Sequence, residues 1–262
     1  MTLHVEMVGD ALEVRMHRDP CNEIGLSMLA ELEKLAALIE SGADGARAVI
    51  FYSTIDKGFC AGADLRELYQ GLVQERDAST RTVEVRSFLD RIHAVFNTID
   101  AAPMTTIAAV HGFCFGGGFE LALTCDIVVA DKSARFAFPE LRLGLVPGFG
   151  GIPRLNRDVG NAVVRDILFT GRSINATKAN EVGLVSQVVA RDHALKAARA
   201  VATQAARFDA KTTAAAKAFA KPIPFDELER EKELFLTMMQ SPVVESALHR
   251  FVNSTDVRPY LP

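Results

Sequence analysis

The sequence predicts an α/β fold followed by a helical C-terminal region. Strand-like and helix-like segments alternate as far as residue 189, glycine-containing motifs follow several strand-like segments, and only helical patterns remain beyond residue 192. Such alternation is typical of sheets whose functional loops lie at the strand ends. We therefore predict a core over residues 1–191 and a helical region over residues 192–262.

The chain begins with a predicted β-hairpin and an amphipathic helix. Apolar residues alternate over residues 3–7 and again over residues 12–16, with Gly9 and Asp10 as the turn between them. Over residues 27–40 the apolar positions follow a 3.6-residue period, which predicts a helix.

The remaining elements follow from apolar runs and helical periodicity. Residues 69–81 have no readable pattern and are expected to form a loop. Buried strands are predicted over residues 46–52, 106–110, 126–130 and 184–189, and helices over residues 82–99, 119–125, 161–170, 194–207, 210–220, 225–239 and 243–252. The apolar faces of the last four helices need a cover, which either the core or a neighbouring subunit could provide.

Charge and apolar patterning argue against nucleic-acid and membrane partners. The 29 basic and 33 acidic side chains give a net charge of −4, so no basic footprint for nucleic acid is expected. The most apolar stretch, residues 107–130, is interrupted by His111, three glycines, Glu120 and Asp126. Ionisable side chains such as Glu120 and Asp126 are costly inside a bilayer. We therefore predict that this stretch forms part of the buried core of the protein.

Cysteine usage and the first ten residues indicate a cytoplasmic protein. The four cysteines form no CxxC pair, which argues against a disulfide framework or a zinc ribbon. Residues 1–10 carry Glu6 and Asp10 and lack the basic start and apolar run of a signal peptide. Cys60 and Cys114 have no evident base partner, so we expect them to pack in the core.

The first motif with chemical potential is FCAGADL, residues 59–65. A helix that opens at Asp64 would leave the backbone N–H of Ala63 free to receive a carbonyl oxygen. The alternative is an ordinary turn that Asp64 caps.

The second motif is HGFCFGGGFEL, residues 111–121, in which three glycines join a strand to a helix. Gly117 would present a second N–H where the backbone approaches a ligand or other backbone closely. A phosphate-binding loop is the rival reading, but neither GxxxxGK[ST] nor a GxGxxG fingerprint with a later acid occurs.

Two glutamates in apolar surroundings are candidates for acid and base catalysis. Glu120 lies in the second motif and Glu140 in the third, FAFPELRLGLVPGFGG, residues 136–151. Apolar neighbours raise the pKa of a carboxyl group toward working pH. The alternative for each is a solvated residue at a helix start. His93, alone on its predicted helix, is interpreted as structural.

The three motifs, with FTGRSINATKANEVGLVSQVV at residues 169–189, resemble the crotonase superfamily, also called the enoyl-CoA hydratase/isomerase family. The similarity extends over most of the chain in the same order and spacing. It implies a spiral of ββα units, a bent acyl-CoA ligand, and a C-terminal helical trimerisation region that usually gives trimers or dimers of trimers.

The resemblance also implies roles for single residues. The amides of Ala63 and Gly117 correspond to the oxyanion hole for the thioester carbonyl, Glu120 to the residue that activates water, and Glu140 to the residue that protonates Cα. It further implies substrate contacts from Ala61, Asp64, Leu65, Arg66 and Gly148.

Presence of both glutamates favours syn hydration of a 2-trans-enoyl-CoA to a 3-hydroxyacyl-CoA, with coenzyme A as part of the substrate and no metal or other cofactor. The alternatives are a Δ3,Δ2-enoyl-CoA isomerase that uses Glu140 alone, and a non-catalytic acyl-CoA-binding subunit. RNA binding, known for a relative, is disfavoured by the acidic charge. Phe113 and Phe115 are bulkier than usual for the family and are expected to narrow the acyl pocket.

Overall fold

The computed structural model describes residues 2–74 and 77–254. Its strands are β1 (Leu3–Val8), β2 (Ala11–Met16), β3 (Ala48–Ser53), β4 (Gly58–Cys60), β5 (Thr105–Val110), β6 (Phe113–Phe115), β7 (Ile127–Asp131), β8 (Arg135–Ala137), β9 (Ile174–Asn175) and β10 (Gln187–Val189). Its helices are α1 (Leu26–Glu40), α2 (Leu65–Gln74), α3 (Ala78–Asp100), α4 (Gly117–Thr124), α5 (Gly151–Val159), α6 (Asn161–Thr170), α7 (Ala176–Glu181), α8 (Ala194–Ala205), α9 (Ala210–Ala220), α10 (Phe225–Met239) and α11 (Pro242–Asn253).

The strands form two sheets that the chain visits alternately. The larger sheet has the order β1-β2-β3-β5-β7-β10, and the smaller has the order β4-β6-β8-β9. Strands β3, β5 and β7 are parallel in the first sheet, and β4, β6 and β8, which follow them within a few residues, are parallel in the second. This succession of strand pairs with intervening helices confirms the predicted α/β fold.

Both faces of the central strands β3, β5 and β7 of the larger sheet are buried, which explains why these strands have nearly continuous apolar sequences. In β3, Val49 and Phe51 belong to one buried cluster, whereas Ile50 and Tyr52 belong to the other. Helices α1 and α3 contribute to the first cluster, and α8 covers the second with Ala194, Ala198 and Ala202.

Several boundaries differ from the sequence prediction. Helix α2 runs through Gln74, and α3 begins at Ala78 because the Asp77 side chain accepts a hydrogen bond from the Thr80 N–H at 2.8 Å, so a loop over all of residues 69–81 is wrong. Helix α4 begins at Gly117, two residues before the predicted start. The strands of the smaller sheet have only two or three residues each, too few to produce a detectable period.

Four helices and no strand follow residue 193 in the described chain, and residues 255–262 of the predicted helical region lie outside it. Helix α9 buries none of its residues and is held by ion pairs, Lys217 to Asp126 at 2.9 Å and Lys221 to Asp100 at 2.9 Å. The division into two domains at residue 192 stays a prediction. Every helix within the described ranges is too short or too polar to cross a membrane.

A buried ion cluster joins this helical region to the core. The fully buried carboxylate of Asp100 is 2.8 Å from Nε of Arg154, 3.0 Å from Nη1 of Arg157 and 2.9 Å from Nζ of Lys221. Burial raises the pKa of Asp100, but Lys221 and the two arginines outweigh this effect and the net pKa is lowered. Asp100 therefore stays ionised and compensates three cations.

Asp100→Asn should lower the free energy of unfolding by about 3–5 kcal/mol, because it leaves the fully buried guanidinium of Arg154 without its counter-ion. Asp158→Asn is the matched control, since the exposed carboxylate of Asp158 pairs with Arg157 at 2.7 Å and should contribute about 1 kcal/mol or less. Urea unfolding measures both. Equal, small losses in the two variants would contradict a central role for Asp100.

Candidate active site

Two strand-to-helix junctions meet where β4 leads to α2 and β6 leads to α4. Gly62 and Gly116 have φ of +110° and +48°, a region that favours glycine. A Cβ atom at Gly62 would lie 3.1 Å from the Phe115 carbonyl oxygen and 3.3 Å from the Gly117 nitrogen. The glycines thus allow the two junctions to touch.

This contact brings together the two predicted amide donors. A Cβ atom at Gly117 would lie 3.4 Å from the Ala63 nitrogen, and both residues line one chamber of about 50 Å³. Among the described residues, neither the N–H of Ala63 nor that of Gly117 has a hydrogen-bond acceptor. Two unpartnered N–H groups beside a cavity suit an oxygen that carries developing negative charge.

Glu120 lies in the first turn of α4 and lines the same chamber. Its Oε1 accepts hydrogen bonds from the N–H groups of Phe149 at 2.7 Å and Gly151 at 2.8 Å. Burial raises the pKa of Glu120 to about 7, against the lowering effect of these two donors and of Arg154. The alternative of a solvated glutamate at a helix start is therefore wrong.

Glu140 opens a short 3-10 turn after β8 and also lines the chamber. Its Oε2 is buried without a hydrogen-bond partner, and its Oε1 would lie 2.6 Å from a Cβ atom at Gly116. Burial, and then the proximity of Glu120, raise the pKa of Glu140 well above its ordinary value of 4.5. Burial thus favours the protonated form of Glu140, and Glu120 exchanges a proton near pH 7.

The predicted substrate-contact residues have different environments. Ala61, Leu65 and Gly148 line the chamber, and a Cβ atom at Gly148 would lie 2.6 Å from the Phe235 ring. Asp64 caps α2, since its Oδ1 accepts from the Glu67 N–H at 3.0 Å, and it pairs with Arg18. The exposed side chain of Arg66 donates to the Val252 carbonyl at 3.0 Å. Their contacts with a substrate stay predictions.

A larger apolar cavity of about 550 Å³ lies between α2 and α3. It shares four lining residues with the chamber: Ala63, Leu68, Phe149 and Phe235. The expectation that Phe113 and Phe115 narrow the acyl pocket is wrong for these two cavities, because neither ring lines them. The rings pack against each other on β6, with centroids 5.1 Å apart and planes tilted by 31°, and Phe113 is exposed.

The other reactive side chains are structural. Nε2 of buried His93 lies 2.8 Å from the Gly148 carbonyl oxygen. Burial raises the pKa of the Cys60 thiol to about 12 and that of Cys114 well above its ordinary value, so both stay neutral. In the part of the chain that the structure describes, no three His, Cys, Asp or Glu side chains are arranged to hold a metal ion, and the absence of a metal stays a prediction.

Sequence analysis missed one buried acid beside this site, Glu231 of α10. Both its oxygens accept N–H donors, from Gly150 and Ile152 at 2.7 Å each. A signal was available, because Glu231 and Lys232 occupy the same helical stripe as Leu228 and Phe235, which is otherwise apolar.

The enoyl-CoA hydratase/isomerase family profile matches residues 9–257, and the chain belongs to that family. It is similar to the short-chain-enoyl-CoA hydratase of Clostridium acetobutylicum, with 34% identity over 201 residues, which are 76% of this chain and 73% of that protein.

The chain is also similar to the human protein named enoyl-CoA hydratase domain-containing protein 2, mitochondrial, with 40% identity over 198 residues. That match covers 73% of this chain and 64% of the human protein, so the chain spans less than two thirds of that relative. Among solved structures, an enoyl-CoA hydratase from Bacillus halodurans has a TM-score of 0.83 at 22% identity and covers 95% of this chain and 99% of its own, which supports the fold.

Glu120→Gln should make the protein more stable at pH 8 but not near pH 5. The folded-state pKa of about 7 lies above the ordinary 4.5, so the folded protein holds a proton that the unfolded chain has released between these values. Stability of the natural protein therefore falls as pH rises through this window. Glutamine keeps both accepted hydrogen bonds without the charge, a gain on the order of 3 kcal/mol at pH 8.

Urea unfolding of both proteins across this pH range measures the gain. Glu181→Gln, an exposed glutamate on α7, controls for loss of a surface charge and should leave the pH dependence unchanged. Parallel pH profiles of stability for the natural protein and Glu120→Gln would contradict a raised pKa of Glu120 in the folded protein.

Proposed function

We propose that this protein adds water syn across the double bond of a 2-trans-enoyl-CoA to give a 3-hydroxyacyl-CoA. The observation that carries the proposal is one chamber lined by two acceptor-free amides and two buried glutamates. Membership of the enoyl-CoA hydratase/isomerase family supports an acyl-CoA thioester as the ligand.

In this proposal the thioester carbonyl oxygen accepts from the N–H groups of Ala63 and Gly117. Addition at Cβ moves negative charge onto this oxygen, and preoriented donors stabilise the resulting enolate. One such donor is typically worth about 10²- to 10³-fold in rate. Gly117 opens α4, so the positive end of the helix dipole adds to the effect.

The two glutamates divide the proton transfers. Ionised Glu120 removes a proton from water as its oxygen bonds to Cβ, and protonated Glu140 gives a proton to Cα of the enolate. A pKa of about 7 for Glu120 suits a base at neutral pH, and the raised pKa of Glu140 suits an acid. The two transfers consume no net proton, and after product release Glu120 gives its proton to solvent while Glu140 takes one up, which restores both groups.

We also propose which cofactor the protein uses and how its subunits assemble. The reaction needs no cofactor besides the coenzyme A of the substrate. We propose a homotrimer or a dimer of trimers built through the C-terminal helices, supported by α9, which buries none of its residues, and by Phe219, which is 92% exposed. The cytoplasmic location stays a prediction, and two mammalian relatives are named as mitochondrial.

Glu120→Gln and Glu140→Gln should each lower kcat for hydration about 10²- to 10⁴-fold, because each removes one proton transfer and keeps the side-chain shape. Loss of the enoyl-thioester ultraviolet absorbance measures the rate, and Glu181→Gln is the control with unchanged turnover. Full activity in either active-site variant would contradict its role. Turnover of a 3-enoyl-CoA without water addition, abolished only by Glu140→Gln, would indicate the isomerase instead.

We assign the acyl tail to the cavity of about 550 Å³, which adjoins the chamber. Its lining is mostly apolar and includes Leu68, Val85 and Phe88. Transfer of a hydrocarbon chain from water into this cavity is therefore favourable. Relatives of comparable identity are named for short-chain enoyl and for methylglutaconyl substrates, so identity alone does not define the acyl group.

Octenoyl-CoA should have a higher kcat/KM than crotonyl-CoA, and Gly71→Phe should reverse this order. Gly71 shares the cavity-facing side of α2 with Asp64, Glu67 and Leu68, and a Cβ atom there meets nothing within 4 Å. A phenyl ring would therefore fill the cavity and lower octenoyl turnover about tenfold or more, with little effect on crotonyl turnover. Gly71→Ala is the control, and an equal loss for both substrates would contradict the assignment.

A further inference from the structure

Helix α10 places another buried carboxyl group against the loop of residues 149–152. Glu231 is 5% exposed, and its Oε1 and Oε2 accept from the N–H groups of Gly150 and Ile152 at 2.7 Å each. Two N–H donors, one on each oxygen, favour the ionised form of a carboxyl group. Glu231 thereby binds the loop of residues 149–152, whose Gly150 lies 81 positions earlier in the chain.

The same loop holds Glu120. Oε1 of Glu120 accepts from the N–H groups of Phe149 and Gly151, so the four successive amides of residues 149–152 alternate between Glu120 and Glu231. Oε2 of Glu120 makes no hydrogen bond to any residue that the structure describes, which leaves this oxygen for water. The position of Oε2 therefore depends on the position of the loop.

The loop carbonyls are engaged as well. The Gly148 carbonyl oxygen lies 2.8 Å from Nε2 of His93, and Nη1 of Arg154 donates to the carbonyls of Phe149 at 3.1 Å and Gly150 at 3.3 Å. Among these contacts, those of Glu231 are the ones that come from the C-terminal helical region. Removal of Glu231 would free two amides in the middle of the loop.

The loop also sets the proton affinity of Glu120. Its Phe149 and Gly151 amides lower the pKa of Glu120, against the effect of burial. Burial, and then Glu120, raise the pKa of Glu231 well above its ordinary value of 4.5, although its two amide donors and Arg154 on α5 lower it. Helix α3 contributes His93 through the loop carbonyl, and its Asp90 is paired with Lys232 of α10 at 2.6 Å.

We propose that Glu231 is a positioning residue for the hydration proposed above: it fixes the loop that holds Oε1 of Glu120. The kinetic consequence rests on the proposed function. The effect on Glu120 itself does not, because it requires only the fold and the two carboxylates.

Glu231→Gln tests the proposal. Glutamine keeps the shape but removes the charge and sets an NH2 group against one loop N–H, so we expect kcat to fall on the order of 10-fold to 100-fold. The acidic limb of the pH profile of kcat, which reports ionisation of Glu120, should move to higher pH, because a displaced loop weakens the two amide donors that lower the pKa of Glu120. Glu227→Gln, an exposed glutamate on the same helix, should change neither.

Carbon-13 NMR of the Glu120 carboxyl group gives a readout that needs no turnover, and it should titrate at higher pH in Glu231→Gln. Glu231→Asp keeps a carboxyl group but is one methylene shorter, so kcat should fall and the limb should move in the same direction. An unmoved limb together with an unmoved Glu120 titration in Glu231→Gln would overturn the proposal. Failure of both variants to fold would also overturn it, since it would assign Glu231 to folding. A natural protein without hydratase activity but with the Glu120 shift would refute only the proposed function.

Discussion

Close contact between two strand-to-helix junctions is the constraint on which the rest of the site depends. The junctions after β4 and β6 can touch only if no side chain stands between them, and Gly62 and Gly116 provide this. Gly118 adds to it, because a Cβ atom there would lie 2.5 Å from the Cys60 carbonyl oxygen. The parallel pairing of β4 with β6 fixes the two junctions side by side, and two amides consequently line one chamber.

Function at this chamber conflicts with stability. Unpartnered amides and buried carboxyl groups each cost free energy in the folded state, and the gain appears only when a ligand oxygen and a water molecule are present. The protein offsets part of this cost around Glu120, where two loop amides bind one carboxylate oxygen. Glu140 has no such compensation at Oε2, which fits a group that holds its own proton.

Local sequence patterns predicted the elements and residue types that depend on near neighbours. The hairpin of β1 and β2 and the amphipathic helix α1 each have a period long enough to detect, and the glycine motifs indicated Ala63 and Gly117. The strands of the smaller sheet were missed because two or three residues carry no period. Glu231 was missed because its partners lie 79 and 81 positions away in the chain.

Predictions about the cavities depended on tertiary placement and were less successful. Phe113 and Phe115 stand beside the triple glycine in sequence, yet β6 directs them away from both cavities. The larger cavity instead uses α2 and α3, including part of a segment without any readable pattern. The roles assigned to the site residues by resemblance stay predictions, now supported by the geometry of the chamber.

Isotope-edited infrared spectroscopy of a bound enoyl-CoA with a carbon-13 thioester carbonyl tests whether the amides of Ala63 and Gly117 bind the carbonyl oxygen. With the Glu120→Gln variant, which should bind without rapid turnover, the carbonyl stretch reports the hydrogen bonds that the oxygen accepts. We expect a lower stretching frequency in the complex than in water, because the amides of Ala63 and Gly117 polarise the carbonyl in a chamber that excludes bulk water. A frequency equal to or above that in water, for a ligand shown to be bound, would contradict binding of the thioester oxygen by these two amides.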